Sequence, residues 1–240
     1  MKPEALFLDL DGTLLDGSDY DRSIIGTCEA IAKADSGLRA GLSGPVLYKA
    51  NQETWGDYWQ EIGDSWSLGL VDDAAVRSEA WRRTLADCGC DDESLLELAL
   101  RTHLELARQT YRLFDDVGGL IEAAKRESVP LALITNGASP TQRDKLRSVG
   151  IEDWFRAVVI SGEVGVAKPD SAVFRLAIER LGLDHPSNGR DVWHVGDSLA
   201  NDVGGSKLAG LTAVWINRGG LTREKDEPEP DLEITSLSEL

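Results

Sequence analysis

Apolar residues in this chain follow two patterns. In the first they form short, nearly continuous runs: ALFLD at 5–9, PLALIT at 130–135, RAVVIS at 156–161, DVWHVGD at 191–197 and TAVWI at 212–216. A strand buried on both faces of a parallel sheet reads this way, whereas a strand with one wet face alternates. Between the last four runs lie TQRDKLRSVG, DSAVFRLAIERLG and ANDVGGSKLAG, each closing on a glycine that suits a helix C-cap. Strand alternating with helix predicts an α/β fold with a doubly wound, Rossmann-like, mostly parallel sheet. PDLEITSLSEL predicts a short edge strand and a last turn, and LTREKDEPEP a surface loop.

The second pattern fills residues 16–114. RSIIGTCEAIAKA sets Ile24, Ile25, Cys28 and Ile31 at helical spacing, and three longer segments (GPVLYKANQETWGDYWQEIGDSW, DAAVRSEAWRRTLADCG, DESLLELALRTHLELARQTY) read as amphipathic helices. No strand is predicted there. The chain therefore divides into a discontinuous α/β core, 1–15 and 115–240, and an inserted α-helical bundle of about four helices, 16–114. A hinge is expected near 14–18 and 112–118, where Gly17 and the Gly118-Gly119 pair stand. Trp55, Tyr58, Trp59 and Trp66 read first as a core stripe, with Trp55 or Trp59 as a pocket wall the sharper alternative.

Charge narrows the partners. Over 240 residues, 42 acidic side chains face 25 basic ones, a formal net charge of -17. That field repels nucleic acid and anionic membranes, and an anionic substrate needs a local cation to overcome it. Cys28, Cys88 and Cys90 make neither a disulfide framework nor a zinc site. There is no run of 18 apolar residues and no signal-peptide pattern, so a soluble, cytoplasmic monomer or homodimer is expected.

Ligands of open α/β sheets bind beyond the C-terminal strand ends. Asp9-Leu10-Asp11-Gly12-Thr13, Thr135-Asn136-Gly137, Lys168-Pro169-Asp170 and Gly196-Asp197, followed by Asp202, all fall at that edge. Carboxylates this close repel one another unless a cation joins them. Asp9, Asp11 and Asp197 suit Mg²⁺, a hard dication, with Asp11 contributing its backbone carbonyl. Asp9 is then free to attack phosphorus and Asp11 to protonate the leaving oxygen. Thr135 and Asn136 with nearby N–H groups, and Lys168 as a point cation, are placed to hold a phosphoryl group.

DLDGT, TNG, GVAKPD and GDSLAND, in this order on these strands, resemble the haloacid dehalogenase superfamily across essentially the whole chain. The resemblance implies a Mg²⁺-dependent phosphatase with a helical cap. It makes Asp9 the nucleophile, Asp11 the general acid/base, Thr135 and Lys168 the phosphoryl-holding pair, and Asp197 and Asp202 metal-site residues. The second Asp of DLDGT favours a phosphatase, because a dehalogenase has no alkoxide to protonate. The implied substrate is a small phosphorylated metabolite: a sugar phosphate, a nucleoside monophosphate or phosphoglycolate. A phosphomutase, a phosphonate-cleaving enzyme or a weakly catalytic phospho-metabolite binding protein are the alternatives. Read singly, Asp197 could be a helix N-cap and Asp202 a first-turn acid. His103, His185 and His194 do not cluster; His194 is expected to be packed in its strand, and Lys33 and Lys49 to be surface charges.

Overall fold

The computed structural model describes residues 2–183 and 191–240; His185 lies outside them. The chain divides into two compact units, one formed by Met1–Asp16, Ser67–Gly69 and Arg112–Leu240, the other by Gly17–Trp66 and Leu70–Tyr111.

The second unit is helical: α1 (Tyr20–Lys33), α2 (Asp35–Arg39), α3 (Gly44–Ser67), α4 (Asp73–Asp87) and α5 (Glu93–Thr110). Asp72 and Asp92 cap α4 and α5, their carboxylates accepting from the N–H groups of Ala75 and Ser94, both at 2.8 Å. Ile24, Cys28 and Ile31 of α1 bury against Leu47, Trp81, Leu85 and Leu95, as their spacing predicts. Ile25 departs from that stripe and is exposed, because its position turns it off the packed face. Tyr58 packs on Val76 and Ala80 with Trp55 and Trp66 around it, so the aromatic stripe is mainly core. Trp59 is its exposed member, lying edge-on to Trp66.

Three buried polar side chains of this unit, Asn51, Thr84 and His103, take part in hydrogen bonds between neutral groups. Asn51 donates to the Thr84 hydroxyl at 3.1 Å. Trp81 Nε1 donates to His103 Nδ1 at 2.9 Å, and the Tyr20 hydroxyl lies 3.2 Å from Nε2. Indole is only a donor, so Nδ1 must accept and the proton of the neutral ring sits on Nε2. Burial, reinforced by the cation of Arg77, pushes the His103 pKa down to about 4. Lys33 and Lys49 are exposed partners of Glu29 and Glu53, the surface charges expected.

The first unit carries the sheet. Its strands are β1 (Ala5–Leu8), β4 (Leu131–Thr135), β5 (Ala157–Ile160), β6 (Val192–Gly196), β7 (Thr212–Ile216) and β8 (Leu232–Ile234). They are all parallel, in the order β5-β4-β1-β6-β7-β8. The runs are unbroken because alternate residues feed two cores: Leu6, Leu8, Leu131 and Leu133 on one face, Ala5, Phe7, Ala132 and Ile134 on the other. The chain steps from β1 out to β5 and then crosses back to β6, so the strand order reverses beside β1. That is the switch point at which open sheets leave a crevice.

The helices of this unit are α6 (Val117–Glu127), α7 (Ser139–Ser148), α8 (Ser161–Val164), α9 (Ser171–Leu181) and α10 (Gly205–Leu208). α10 is preceded by a π-helical turn, Leu199–Gly204. Two details depart from the sequence pattern. Gly118 and Gly119 lie inside the first turns of α6 rather than in a linker. A two-residue antiparallel ribbon, β2 (Leu15–Asp16) with β3 (Arg112–Leu113), stands where no strand is predicted. Arg112 donates to Asp16 across it at 2.6 Å. At the C-terminus β8 is the expected edge strand, and Ser236 and Glu239 close the last turn as a capping box. Among the described residues no helix is long and apolar enough to cross a membrane.

Candidate active site

Asp9 follows β1 directly and is 6% exposed. Its N–H donates to the Val195 carbonyl at 3.0 Å, which ties the end of β1 to β6. Lys168, from the loop before α9, is also buried, and its Nζ lies 2.5 Å from Asp9 Oδ1 and 2.6 Å from Asp202 Oδ1. Asn136 holds that lysine by its backbone: its Nδ2 donates to Lys168 O and its Oδ1 accepts from Lys168 N, both at 2.9 Å. The Asn136 side chain is thus engaged with the lysine loop, and what it can still offer a phosphoryl group is chiefly its backbone N–H.

Asp202 is nearly fully buried, and its Oδ2 accepts from Ser198 N at 3.0 Å. His194, fully buried on β6, approaches Asp202 Oδ1 with Nε2 at 2.9 Å. Packing alone therefore does not describe His194; it is a partner of the site's deepest carboxylate. Its Nδ1 has no hydrogen-bond partner among the described residues, so an Nε2–H donating to Asp202 is the tautomer that uses the ring. Asp197 does not cap the following turn; Ser198 does, accepting from Asn201 N at 3.2 Å. Trp215 Nε1 donates to the Asp197 carbonyl at 2.9 Å.

Two glycines permit this crowding. A Cβ on Gly12, whose φ is +76°, would stand 2.3 Å from Asp197 Oδ2, and one on Gly196 2.1 Å from Asp202 Cγ.

The electrostatics follow from burial around one cation. Burial pushes Asp9 up to about 8; Lys168 opposes this, while Asp202 and Asp197 add to it. Burial and then the Asp202 charge raise Asp197 to about 6. Burial would also raise Asp202, but Lys168 and His194 outweigh it and hold its carboxyl well below the usual range. Burial would lower Lys168, but Asp202 and Asp9 overcome it and keep the ammonium charged. Burial holds the His194 imidazole below its ordinary value despite Asp202.

Asp9, Asp197 and Asp202 can each present an oxygen within 4.8 Å of one another. When all three are ionised, their charges against the ammonium of Lys168 leave two negative charges on hard oxygen donors. That donor set fits a dication such as Mg²⁺.

Two residues that sequence reasoning passed over complete the site. Gln142 Nε2, on α7, donates to Asp11 Oδ2 at 3.0 Å and to Thr135 Oγ1 at 2.6 Å. Lys145 Nζ lies 2.8 Å from both Asp11 oxygens. Burial pushes the Asp11 carboxyl up, but Lys145 and Gln142 outweigh it and hold it below the usual carboxylate range. The available signal was their i,i+3 spacing directly after TNG, which puts both on one helix face.

The family of haloacid dehalogenase-like hydrolases matches residues 3–210. The chain is 34% identical to a phosphoserine phosphatase of Thermus thermophilus, with 98% of this chain and 96% of that protein aligned. It is 32% identical to N-acylneuraminate-9-phosphatase of Mus musculus, over 98% and 91% of the two chains. The solved structure of HAD-hydrolase YfnB from Bacillus subtilis superposes with a TM-score of 0.69 at 22% identity, covering 100% of this chain and 97% of that one, which places the fold. By the extent of the family match and by these full-length relatives, the chain belongs to the haloacid dehalogenase-like hydrolases.

Proposed function

We propose that this protein is a cytoplasmic, Mg²⁺-dependent phosphatase that hydrolyses a small phosphorylated metabolite through an aspartyl-phosphate on Asp9. The observation that carries the reading is the paired arrangement of Asp9 and Asp11. Asp9 is buried against Lys168, while the Asp11 side chain is 51% exposed and held from behind by α7. One carboxylate is placed to attack and the other to exchange a proton with an incoming group.

In the first half-reaction an Asp9 oxygen attacks phosphorus and the ester P–O bond breaks. Asp11, protonated in the substrate complex, delivers that proton to the departing oxygen. Lys168 holds the Asp9 carboxylate in place and offers positive charge to the phosphoryl oxygens, and Thr135 offers its hydroxyl. In the second half-reaction Asp11 takes a proton from water as that water attacks the phosphorus, releasing phosphate and restoring Asp9. Asp9, Asp197 and Asp202, with the Asp11 backbone carbonyl, would hold Mg²⁺, which when bound neutralises charge on the carboxylates and the phosphoryl group.

Phosphatase relatives aligned over nearly the whole chain support this reading. Dehalogenation fits less well, since halide leaves without a proton and Asp11 would be idle. Phosphonate cleavage through a Schiff base needs a desolvated lysine. Lys33 and Lys49 instead stand exposed at 75% and 79% in ion pairs. In this reading the helical unit is the cap that sets substrate choice.

The test is phosphate release from a panel of sugar phosphates, nucleoside monophosphates, phosphoglycolate and phosphoserine with Mg²⁺. Wild-type turnover that disappears in Asp9→Asn and with EDTA supports the reading. Release unchanged in Asp9→Asn would overturn it.

A further inference from the structure

We infer that Gln142 and Lys145, on one face of α7, are positioning residues that fix the Asp11 carboxyl and the Thr135 hydroxyl for reaction. The inference rests on the phosphatase reading above and adds two residues to it.

A carboxyl at the end of an aspartate turns about two torsions, and an acid/base must meet its oxygen within hydrogen-bond reach. Here three donor contacts from one helix fix it: Lys145 on both oxygens at 2.8 Å and Gln142 on Oδ2 at 3.0 Å. Lys145 is 14% exposed, so its stem is packed, unlike the solvated Lys49. Gln142 is fully buried, and chemistry dictates its orientation. Turned over, its amide oxygen would face the Asp11 carboxylate, acceptor against acceptor. The same Nε2 donates to Thr135 Oγ1 at 2.6 Å. A hydroxyl that accepts there keeps its own hydrogen for another acceptor, which a phosphoryl oxygen supplies. Gln142 therefore couples the group that handles the proton to the group that faces the phosphoryl oxygens.

The consequence concerns the leaving group. When the P–O ester bond breaks, its electron pair stays on the departing oxygen, which takes the Asp11 proton. An alkoxide needs that proton; p-nitrophenolate leaves without it. Misplacing Asp11 slows phosphorylation of Asp9 by the alkyl ester and spares phosphorylation by p-nitrophenyl phosphate, while the hydrolysis of the aspartyl-phosphate, in which Asp11 is the base, is common to both.

The experiment compares wild type, Lys145→Met and Lys145→Arg on p-nitrophenyl phosphate and on the alkyl phosphate of the panel that turns over fastest. The expected result for Lys145→Met is a single-turnover rate of alcohol release from the alkyl ester lower by about 10²-fold, with the single-turnover burst of p-nitrophenolate changed by less than about 3-fold and the half-saturating concentrations by less than about 2-fold for both. Lys145→Arg, which keeps a charged donor fork, recovers most of the loss. Equal loss of the two single-turnover rates would mean a merely structural role and overturn the inference. A raised KM with kcat intact would make Lys145 an anion-binding group and overturn it too. If Lys145→Met does not fold, Lys145→Gln carries the same comparison. Wild-type protein inactive on both esters would instead overturn the phosphatase reading itself, so the two failures are distinct.

Discussion

The two units bury polar groups in opposite ways. In the helical unit the interior holds neutral pairs, Asn51 with Thr84 and Trp81 with His103, each supplying a donor to an acceptor. In the sheet unit the interior holds charges: Asp9, Asp202 and Lys168, all nearly inaccessible, with the exposed Asp197 able to bring an oxygen within 4.8 Å of the other two carboxylates. A neutral pair exchanges one hydrogen bond for another and contributes modestly to stability. Buried like charges do not stabilise a fold; they persist where a cation or a reaction requires them. The contrast separates a packing solution from a chemical one within a single chain.

Removing the cation should break the contrast most sharply. In Lys168→Met, Asp9 and Asp202 lose their shared partner, and an uncompensated buried charge costs about 3–5 kcal/mol. A thermal or urea midpoint well below wild type is the expected result, together with loss of turnover. A midpoint equal to wild type would mean that the carboxylates do not depend on this lysine.

A milder test uses pH on the neutral interior. The folded-state pKa of His103 is depressed from 6.5 to about 4, so between these values the unfolded chain binds a proton that the folded ring does not. Stability therefore rises with pH across that window and falls as pH drops from 6.5 toward 4, by at most about 3 kcal/mol for this group. The tautomer adds a reason: protonating Nδ1 would set an N–H against the Trp81 donor. His103→Gln keeps an acceptor for Trp81 and should flatten this part of the stability profile in urea titrations. An unchanged slope in the variant would assign the acid sensitivity elsewhere.

The smallest effect is expected at the surface. Lys49→Met removes an exposed ion pair with Glu53 and should leave both the melting temperature and the turnover of the best substrate unchanged, since such pairs contribute little. A large fall in turnover would reopen a catalytic role for that lysine.

Much of this arrangement is legible in the chain. The nearly continuous runs at 5–9, 130–135 and 191–197 announce strands covered on both faces, and parallel pairing brings their ends to one edge. What stays hidden has physical causes. His194 reads as one more buried strand residue because its partner, Asp202, returns to it only through the turn after β6. Gln142 and Lys145 sit in a segment so polar that it reads as a solvated helix, although one face of it packs against the strand ends. Asn136 looks like a phosphate contact until the loop of Lys168 is seen to take both ends of its amide. The Gly118-Gly119 pair resembles a linker, yet the helix tolerates it because Val117, Leu120, Ile121 and Ala124 bury one face. The β2–β3 ribbon has only two residues per strand, too few to leave a periodic signal.

The central claim is that Asp9 is the residue that becomes phosphorylated. The most direct measurement is acid quenching of the wild-type protein during turnover with Mg²⁺, followed by mass mapping of its peptides. The account predicts the added mass of one PO₃ group on the peptide that contains Asp9, and none in Asp9→Asn. Phosphate release with no adduct on that peptide, or an adduct on another residue, would contradict it.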